Sequence, residues 1–371
     1  MEDCVIVGAG VVGLSLAYEL SCQGLRVRVI DRGEPGREAS WAGAGILPPA
    51  NPNTADHPYE QLRGISHQLH AVWAERLREE TGIDTGYRRC GGIYLARTAG
   101  EAASLAGLAD VCRDLQVEMK KLPAEEIVRL EPALAVPCEA GEVRAAYWLP
   151  DEAQLRNPWH LAALRRACEL RQVVIDGQVT VYEPSRDGRV LTVLRTSAGD
   201  LHAGCYCLCA GAWSGELLRR WGVETGILPI RGQMVLLRGP ERPFRHVLNE
   251  GSRYLVARED GYVLAGSTEE EAGFDKGTTP EGIDELLHFA HTIVPALRLF
   301  RVERTWAGLR PGTYDGFPYI GPVPEWDNVY AAAGHFRSGL HMSPGTAVVV
   351  GQLVRGERPE IDLSPFRVGR G

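Results

Sequence analysis

A strand, a glycine-rich turn and a helix at the start of the chain constrain its fold more than any other feature. The apolar run Cys4–Val7 leads directly into Gly8-Ala9-Gly10-Val11-Val12-Gly13, and residues 14–22 have helical composition. Residues 26–30 then alternate as a second strand that ends at Asp31. This G-x-G-x-x-G fingerprint inside a complete β-α-β unit predicts an α/β fold with a Rossmann-like domain that binds a dinucleotide.

Each residue of the fingerprint has a physical task. Gly8 permits the tight turn, Gly10 lets the backbone approach a pyrophosphate, and Gly13 lets the helix pack closely on the strand. The helix amino terminus offers N–H donors to the diphosphate, and Asp31 accepts hydrogen bonds from a ribose. An acid at this position favours NAD or FAD over NADP, and the choice between NAD and FAD stays open. A glycine-rich turn in an unrelated α/β domain is the alternative.

Length and charge exclude several classes of protein. The chain has 371 residues and a formal net charge of −8, so we expect two domains and no basic face for nucleic acid. It has no run of about 20 apolar residues, which a membrane helix needs. The amino terminus lacks the basic region of a signal peptide, which predicts a cytoplasmic protein.

Nine cysteines are the one unusual count in the composition. They form no C-x-x-C pair, so we predict neither a metal site nor a structural disulfide. Cys205, Cys207 and Cys209 alternate along a predicted strand, which puts their side chains on one buried face. Unpaired thiols agree with a reducing compartment.

The remaining elements predict two interleaved domains. Nucleotide-type elements recur in three blocks, so we assign residues 1–84, 151–224 and 304–371 to a cofactor domain. Residues 85–150 and 225–303 contain short strands and turns typical of an antiparallel sheet, and we assign them to an α+β substrate domain. At the start of the helix predicted from residue 157, Asn157 is a suitable cap and Pro158 a suitable first residue.

The carboxy-terminal part holds a dense set of motifs. Residues 306–321 read W-A-G-L-R-P-G-T-Y-D-G-F-P-Y-I-G, which we interpret as a loop rich in glycine, proline and aromatic residues. A strand at 329–333, the turn Gly334-His335-Phe336-Arg337-Ser338-Gly339 and an apolar helix to about Val354 follow. This junction predicts a second helix amino terminus aimed at the cofactor.

Together with A-G-A-G-I-L at 42–47 and A-G-A-W-S at 210–214, these motifs resemble the FAD-dependent amino-acid oxidases of the D-amino-acid oxidase class. Within that class the chain is most similar to the glycine oxidases of the thiamine pathway. The resemblance covers essentially the whole chain and implies FAD, an antiparallel substrate domain and a homotetramer. No cysteine lies between Arg310 and Gly321, so we expect FAD to be bound without a covalent link.

The resemblance assigns roles residue by residue. Arg310 matches the arginine that grips the substrate carboxylate with two parallel N–H groups. Tyr254 matches a strand tyrosine that adds a hydroxyl donor, and Arg337 matches a further active-site arginine. The alternative for each arginine is a charge at the surface, and the alternative for Tyr254 is an aromatic residue of the core. The FAD contacts that it implies are Gly8, Gly10, Val11, Val12, Gly13, Asp31, Arg32, Ser40, Ala42, Gly43, Ala44, Gly45, Ile46, Gly211, Trp213, Arg310, His335, Phe336, Arg337, Ser338, Gly339 and Leu340.

Two departures from the family pattern bear on the substrate. Ile46 stands where the family often has methionine, and Ser252 where it often has histidine. Both positions contribute to the expected substrate pocket, so an N-substituted amino acid or one with a longer side chain is an alternative to glycine.

The resemblance also implies the reaction. A hydride passes from Cα to flavin N5, the imine hydrolyses to a 2-oxo acid and ammonia or an amine, and dioxygen is reduced to hydrogen peroxide. No side-chain base is expected once the amine is neutral. Alternatives are a D-amino-acid or 2-hydroxy-acid dehydrogenase that uses a carrier instead of oxygen, an NAD-linked dehydrogenase, and a non-catalytic FAD-binding protein.

Overall fold

The predicted β-α-β unit forms the start of the computed structural model, which describes residues 2–370. The strands in chain order are β1 (Glu2–Val7), β2 (Val27–Ile30), β3 (Ile46–Leu47), β4 (Arg88–Arg89), β5 (Gly92–Ala96), β6 (Lys120–Leu122), β7 (Ala145–Leu149), β8 (Ala153–Gln154), β9 (Val174–Asp176), β10 (Ser185–Asp187), β11 (Val190–Thr196), β12 (Gly199–Leu201), β13 (Ala203–Leu208), β14 (Leu228–Arg238), β15 (Val247–Glu250), β16 (Arg253–Ala257), β17 (Tyr262–Gly266), β18 (Arg301–Gly312), β19 (Tyr319–Pro322) and β20 (Val329–Ala333).

The helices connect these strands. They are α1 (Val11–Cys22), α2 (Ala39–Ala42), α3 (Pro58–Thr81), α4 (Ala99–Asp114), α5 (Ala124–Leu130), α6 (Ala135–Glu139), α7 (Asn157–Leu170), α8 (Ser214–Arg220), α9 (Pro280–Ile293) and α10 (Gly339–Val354). Short 3-10 turns span Pro132–Leu134, Gly211–Trp213, Pro295–Leu299, Phe336–Ser338 and Ser364–Phe366. None of the helices within residues 2–370 combines the length and the apolar character that crossing a bilayer requires.

The first large sheet has the order β19-β20-β13-β1-β2-β9 and is parallel except for β19. One of its faces packs under α1, α3, α7 and α10. Cys205, Cys207 and Cys209 lie in the core on that face, where the Sγ of Cys4 is 3.7 Å from the Sγ of Cys207. This confirms the prediction that the three thiols share one buried face, and all nine cysteines are free.

The second large sheet has the order β18-β14-β17-β16-β15-β5-β7-β6 and is antiparallel except for the β15–β5 pair. One of its faces packs against α9. The other face carries Met234, Tyr254 and Val256, which pack with Ala44 and Ile46 from the first part of the chain. This contact brings the loop after β2 against the second sheet.

The prediction that residues 306–321 form a loop is wrong for the first half of that segment. Residues 306–312 belong to β18, whose residue Arg310 pairs with Ile230 of β14. A proline is tolerated here because β18 lies at the sheet edge, where Pro311 stands opposite Pro229 near the strand ends. The predicted boundary at residue 304 therefore falls inside a strand.

The expected capping role of Asn157 is also wrong. Helix α7 begins at Asn157 itself, and no side chain caps it. The Asn157 amide instead donates to the Ser40 carbonyl at 2.7 Å, so a tertiary contact takes the place of the cap.

Candidate active site

A cavity of about 630 Å³ is lined by residues from both large sheets. Its walls contain almost all of the residues that the sequence predicted for the cofactor and substrate. They are Gly8, Gly10, Val11, Val12, Asp31, Arg32, Ser40, Ala42, Gly43, Ala44, Gly45, Ile46, Gly211, Trp213, Tyr254, Arg310, His335, Phe336, Arg337, Ser338, Gly339 and Leu340. Gly13 and Ser252 do not line it.

At one end of the cavity, Asp31 organises the glycine turn. Its carboxylate accepts hydrogen bonds from the backbone N–H of Ala9 at 2.7 Å and of Gly33 at 2.8 Å. Gly8 has a φ of +109°, and a Cβ on Gly13 would lie 1.9 Å from the Gly8 carbonyl oxygen. Gly13 therefore permits the close helix–strand packing, although it does not face the cavity.

Arg32 and Trp213 form a flat wall at the same end. The Arg32 guanidinium lies 3.8 Å from the centre of the Trp213 ring, which stacks on Phe274. Val179, Thr180 and Val181 line the cavity nearby, and sequence reasoning missed them because no motif marks the turn after β9. A stacked, positively charged wall of this kind suits the adenine and phosphate part of a dinucleotide.

The loop from Ser40 to Ile46 is held by buried polar contacts. The Ser40 hydroxyl accepts from the Val11 N–H at 2.9 Å, and Arg258 donates to the Ala44 carbonyl at 2.7 Å. Arg258 is buried without a carboxylate partner within residues 2–370, and this burial lowers its pKa to about 9. Sequence reasoning did not single out Arg258, which lies four residues after Tyr254.

Arg310 reaches the cavity from the edge of the second sheet. Its guanidinium donates to the Ser267 hydroxyl at 2.5 Å and to the Thr268 carbonyl at 3.1 Å. Burial lowers its pKa, and the Tyr254 phenol nearby opposes that shift. A Cβ on Gly232 would lie 2.2 Å from both terminal nitrogens, so the guanidinium occupies space that only a glycine leaves free.

A row of paired residues crosses the sheet beside Arg310. In spatial order it consists of Trp306, Met234, Gly266, Tyr254, Asn249 and Tyr94. We call its last three members, Tyr254, Asn249 and Tyr94, the polar row; all three line the cavity. The Tyr254 hydroxyl lies 3.4 Å from the Met234 sulfur, and Gly266 between them leaves the room for this contact.

Behind the polar row lies Glu152, which is fully buried. Its carboxylate accepts from the Tyr94 hydroxyl at 2.6 Å and from the Asn249 amide at 3.1 Å. Burial raises its pKa to about 7, and the two hydrogen bonds oppose that rise. Sequence reasoning missed all three residues, because strands far apart in the chain bring them together.

The turn before α10 closes the cavity. Arg337 donates to Glu269 at 3.1 Å and to the Ser252 carbonyl at 2.7 Å, so Ser252 contributes to the site through its backbone. His335 is buried beside the Thr346 hydroxyl at 3.1 Å, and burial lowers its pKa to about 4. Its imidazole is therefore neutral at pH 7.

The shape and donors of the cavity fit FAD. The cavity volume is that of a site for a large ligand. The glycine turn and Asp31 lie at one end, and Arg310, Tyr254 and the start of the 16-residue helix α10 lie at the other. No cluster of His, Cys, Asp or Glu in the described chain is placed to hold a metal ion.

The family follows from a match over nearly the whole chain. The family model described as FAD dependent oxidoreductase (DAO) matches residues 3–353. The chain belongs to this family. FAD is therefore its cofactor, and an NAD-linked dehydrogenase is excluded.

Individual relatives in this FAD-dependent oxidoreductase family are similar over nearly the whole of this chain. A glycine oxidase from Pseudomonas aeruginosa is 38% identical, with 98% of each chain covered. The crystal structure of glycine oxidase from Geobacillus kaustophilus superposes with a TM-score of 0.94 at 32% identity, covering 100% of this chain and 99% of the other. The bifunctional protein ThiO/ThiG of Synechocystis is 34% identical over 96% of this chain and 52% of its own length.

Proposed function

We propose that this flavoenzyme oxidises glycine, or a small or N-substituted amino acid, to a 2-oxo acid, ammonia or an amine, and hydrogen peroxide. Glycine itself would give glyoxylate. The observation that carries the proposal is the Arg310 guanidinium beside the Tyr254 phenol, at the end of the cavity formed by Ala44, Ile46 and α10. The relatives named glycine oxidase support the same activity.

Arg310 and Tyr254 bind the substrate carboxylate in this proposal. A guanidinium offers two parallel N–H donors that match a carboxylate, and burial strengthens the interaction because little water competes with it. Fixing the carboxylate fixes Cα, so one Cα–H bond points at the reactive ring. FAD supplies, when bound, the two-electron acceptor for this hydride and passes the electrons to dioxygen.

The assignment of the cavity to FAD residues is part of the proposal. The glycine turn at 8–13 and Asp31 hold the diphosphate and ribose, Arg32 and Trp213 face the nucleotide, and residues 42–46 with 335–340 hold the ring. The cofactor domain is then 1–84, 151–224 and 304–371, with 85–150 and 225–303 as the substrate domain. The strand β18 at their junction supplies Arg310.

Two residues bear on substrate range. Ile46 lines the cavity and packs near Tyr254, whereas the Ser252 side chain does not line it. We therefore expect Ile46 to influence the choice between glycine and bulkier amino acids more than Ser252.

Similarity to ThiO/ThiG supports a place in thiamine synthesis. We also propose that the protein is a homotetramer in the cytoplasm. The nine free cysteines favour the cytoplasm because it is a reducing compartment.

The test is peroxide production by the purified holoenzyme with glycine, sarcosine and D-alanine. Replacing Arg310 with alanine removes two charged hydrogen bonds, so we expect KM for the best substrate to rise about 100-fold. Arg301 on the same strand is exposed and pairs with Glu303, and its alanine variant is the matched control. Steady-state kinetics measure both.

Three outcomes would contradict the proposal or part of it. Turnover without peroxide indicates a dehydrogenase that uses a carrier. Consumption of 2-hydroxy acids without ammonia release indicates the alternative substrate class. An unchanged KM in Arg310→Ala removes Arg310 from the carboxylate site.

A further inference from the structure

We propose that Glu152, acting through Tyr94 and Asn249, forms the end of the substrate pocket that recognises the amine. This inference rests on the proposed function, because it names the partner of the second polar group of an amino-acid substrate. Tyr94 and Asn249 lie in the same sheet as Arg310, and Glu152 contacts both of them.

The carboxylate of Glu152 lies in the interior without a basic partner among residues 2–370. Glu152 is 0% exposed, and no Arg, Lys or His of residues 2–370 forms an ion pair with it. A Cβ on Gly92 would lie 2.2 Å from its Oε1, so the fold leaves a fitted space for this side chain. A buried acid without a protein cation is costly, and a cationic ligand nearby would offset that cost.

The hydrogen bonds to Glu152 use donors of both Tyr94 and Asn249. The Tyr94 hydroxyl donates its one hydrogen bond to Glu152 at 2.6 Å, so its oxygen presents only lone pairs to the cavity. The Asn249 amide donates from Nδ2 to Glu152 at 3.1 Å, and its Oδ1 accepts no hydrogen bond from residues 2–370. Glu152 therefore sets both groups as acceptors, which suit the N–H donors of an amine.

The polar row extends across the sheet from Tyr254 past Asn249 to Tyr94. Asn249 pairs with Tyr254 on one side and with Tyr94 on the other, and neighbouring strands lie about 4.8 Å apart. An amino acid carries its amine one carbon from its carboxylate. With the carboxylate at Arg310 and Tyr254, the amine points along the row toward Asn249, one strand from Tyr254, and Tyr94 lies one strand beyond Asn249. The polar row thus runs from a carboxylate donor to amine acceptors.

Glu152 acts through its neighbours, so it is a positioning residue. Replacing Glu152 with glutamine keeps its size but places an N–H₂ group where two donors now meet. The new amide donates to the Tyr94 oxygen or leaves Asn249 without its acceptor. Either arrangement turns a donor toward the substrate amine, where an acceptor had been.

The experiment compares an amine-bearing ligand with one that lacks the amine, using the FAD-loaded enzyme. We expect Glu152→Gln and Tyr94→Phe to raise KM for glycine at least about 10-fold. The inhibition constant of acetate, which has only the carboxylate, should stay within about twofold in both variants because Arg310 is untouched. Arg310→Ala should weaken both ligands.

Glu131 provides a matched control. It is also a buried carboxylate, but it binds the backbone N–H groups of Arg245 and His246 and does not line the cavity. Glu131→Gln should leave both glycine KM and acetate inhibition unchanged.

The outcomes separate this inference from the proposed function. A wild-type enzyme that oxidises no amine overturns the proposed function and the inference with it. Normal wild-type turnover with an unchanged glycine KM in Glu152→Gln overturns the inference alone. An equal loss of glycine and acetate binding in that variant also overturns it, because it indicates general damage to the pocket.

Discussion

At the scale of single residues, glycines decide where the charged groups of the site can lie. Gly232 leaves space for the Arg310 guanidinium, and Gly92 leaves space for the Glu152 carboxylate. Both glycines lie in the sheet that carries the polar row. Gly232 in β14 is two strands from Tyr254 in β16, and Gly92 shares β5 with Tyr94. The positions of Arg310 and Glu152 at the two ends of the proposed substrate pocket thus depend on glycines, which have no side chain.

A substitution at Gly232 tests this dependence. In Gly232→Ala the new Cβ would lie 2.2 Å from both terminal nitrogens of Arg310, so the guanidinium must move. We expect KM for the amino-acid substrate to rise about 10-fold, as expected when a charged hydrogen bond is lost, with a smaller change in kcat. Steady-state kinetics measure both constants.

Gly107→Ala is the control for this substitution. Gly107 lies in α4, and a Cβ there meets no atom within 4 Å. An unchanged KM in Gly232→Ala would show that Arg310 adjusts without loss and does not need the vacant space.

At the scale of elements, local patterns were predictable and long-range pairings were not. The β-α-β unit around the fingerprint at 8–13 and the helix that begins at residue 157 were both predictable from neighbouring residues. Arg310 was expected in a loop because proline and glycine surround it, whereas pairing with β14 keeps it in a strand. Glu152 had no sequence signal, since its role depends on strands β5 and β15 meeting.

The interface of helices α3, α7 and α10 holds a histidine cluster made of His70, His160 and His341. The ring centres of His160 and His341 lie 5.9 and 6.2 Å from that of His70. Burial lowers the pKa of His160 to about 3 and that of His70 to about 4. Neither ring nitrogen of His160 has a hydrogen-bond partner within residues 2–370. The helices therefore pack around neutral imidazoles.

This packing predicts sensitivity to acid. The unfolded chain binds protons on these histidines near pH 6.5 and the folded chain only near pH 3 to 4, so stability is full above pH 6.5 and falls below it. Replacing His160 with leucine should reduce the slope of unfolding free energy between pH 6.5 and 4 by up to about 1.4 kcal/mol per pH unit.

Denaturant unfolding at several pH values measures that slope. His288→Leu on the exposed side of α9 is the control and should leave the slope unchanged. A His160→Leu slope equal to that of the wild type would mean that this imidazole is protonated in the folded protein.

At the scale of the whole molecule, the cofactor cavity joins the two large sheets. Its lining contains residues of the glycine turn, of strands β14, β15, β16 and β18 and of the start of α10. A ligand that touches all three groups binds only the folded chain, so it stabilises the fold by mass action. The bound cofactor therefore contributes to the stability of the folded protein, as buried side chains do.

FAD should therefore raise the melting temperature of the apoprotein. At a free concentration of 100 times Kd the stabilisation is about 2.7 kcal/mol, which corresponds to a rise of roughly 3–5 °C for a chain of this size. Thermal unfolding followed by circular dichroism measures the shift. Asp31→Ala loses the acceptor that holds the glycine turn, and it should need more FAD for the same shift. No shift at saturating FAD would contradict a site shared between the sheets.

The thiol-rich core face has a consequence for the lifetime of an enzyme that generates peroxide. Cys209 lies at the cavity wall beside the glycine turn, and it is buried with its pKa raised to about 12. Peroxide attacks thiolates far faster than thiols, and at neutral pH this side chain remains a thiol. Burial thereby protects the cysteine that lines the cavity from the product of the reaction.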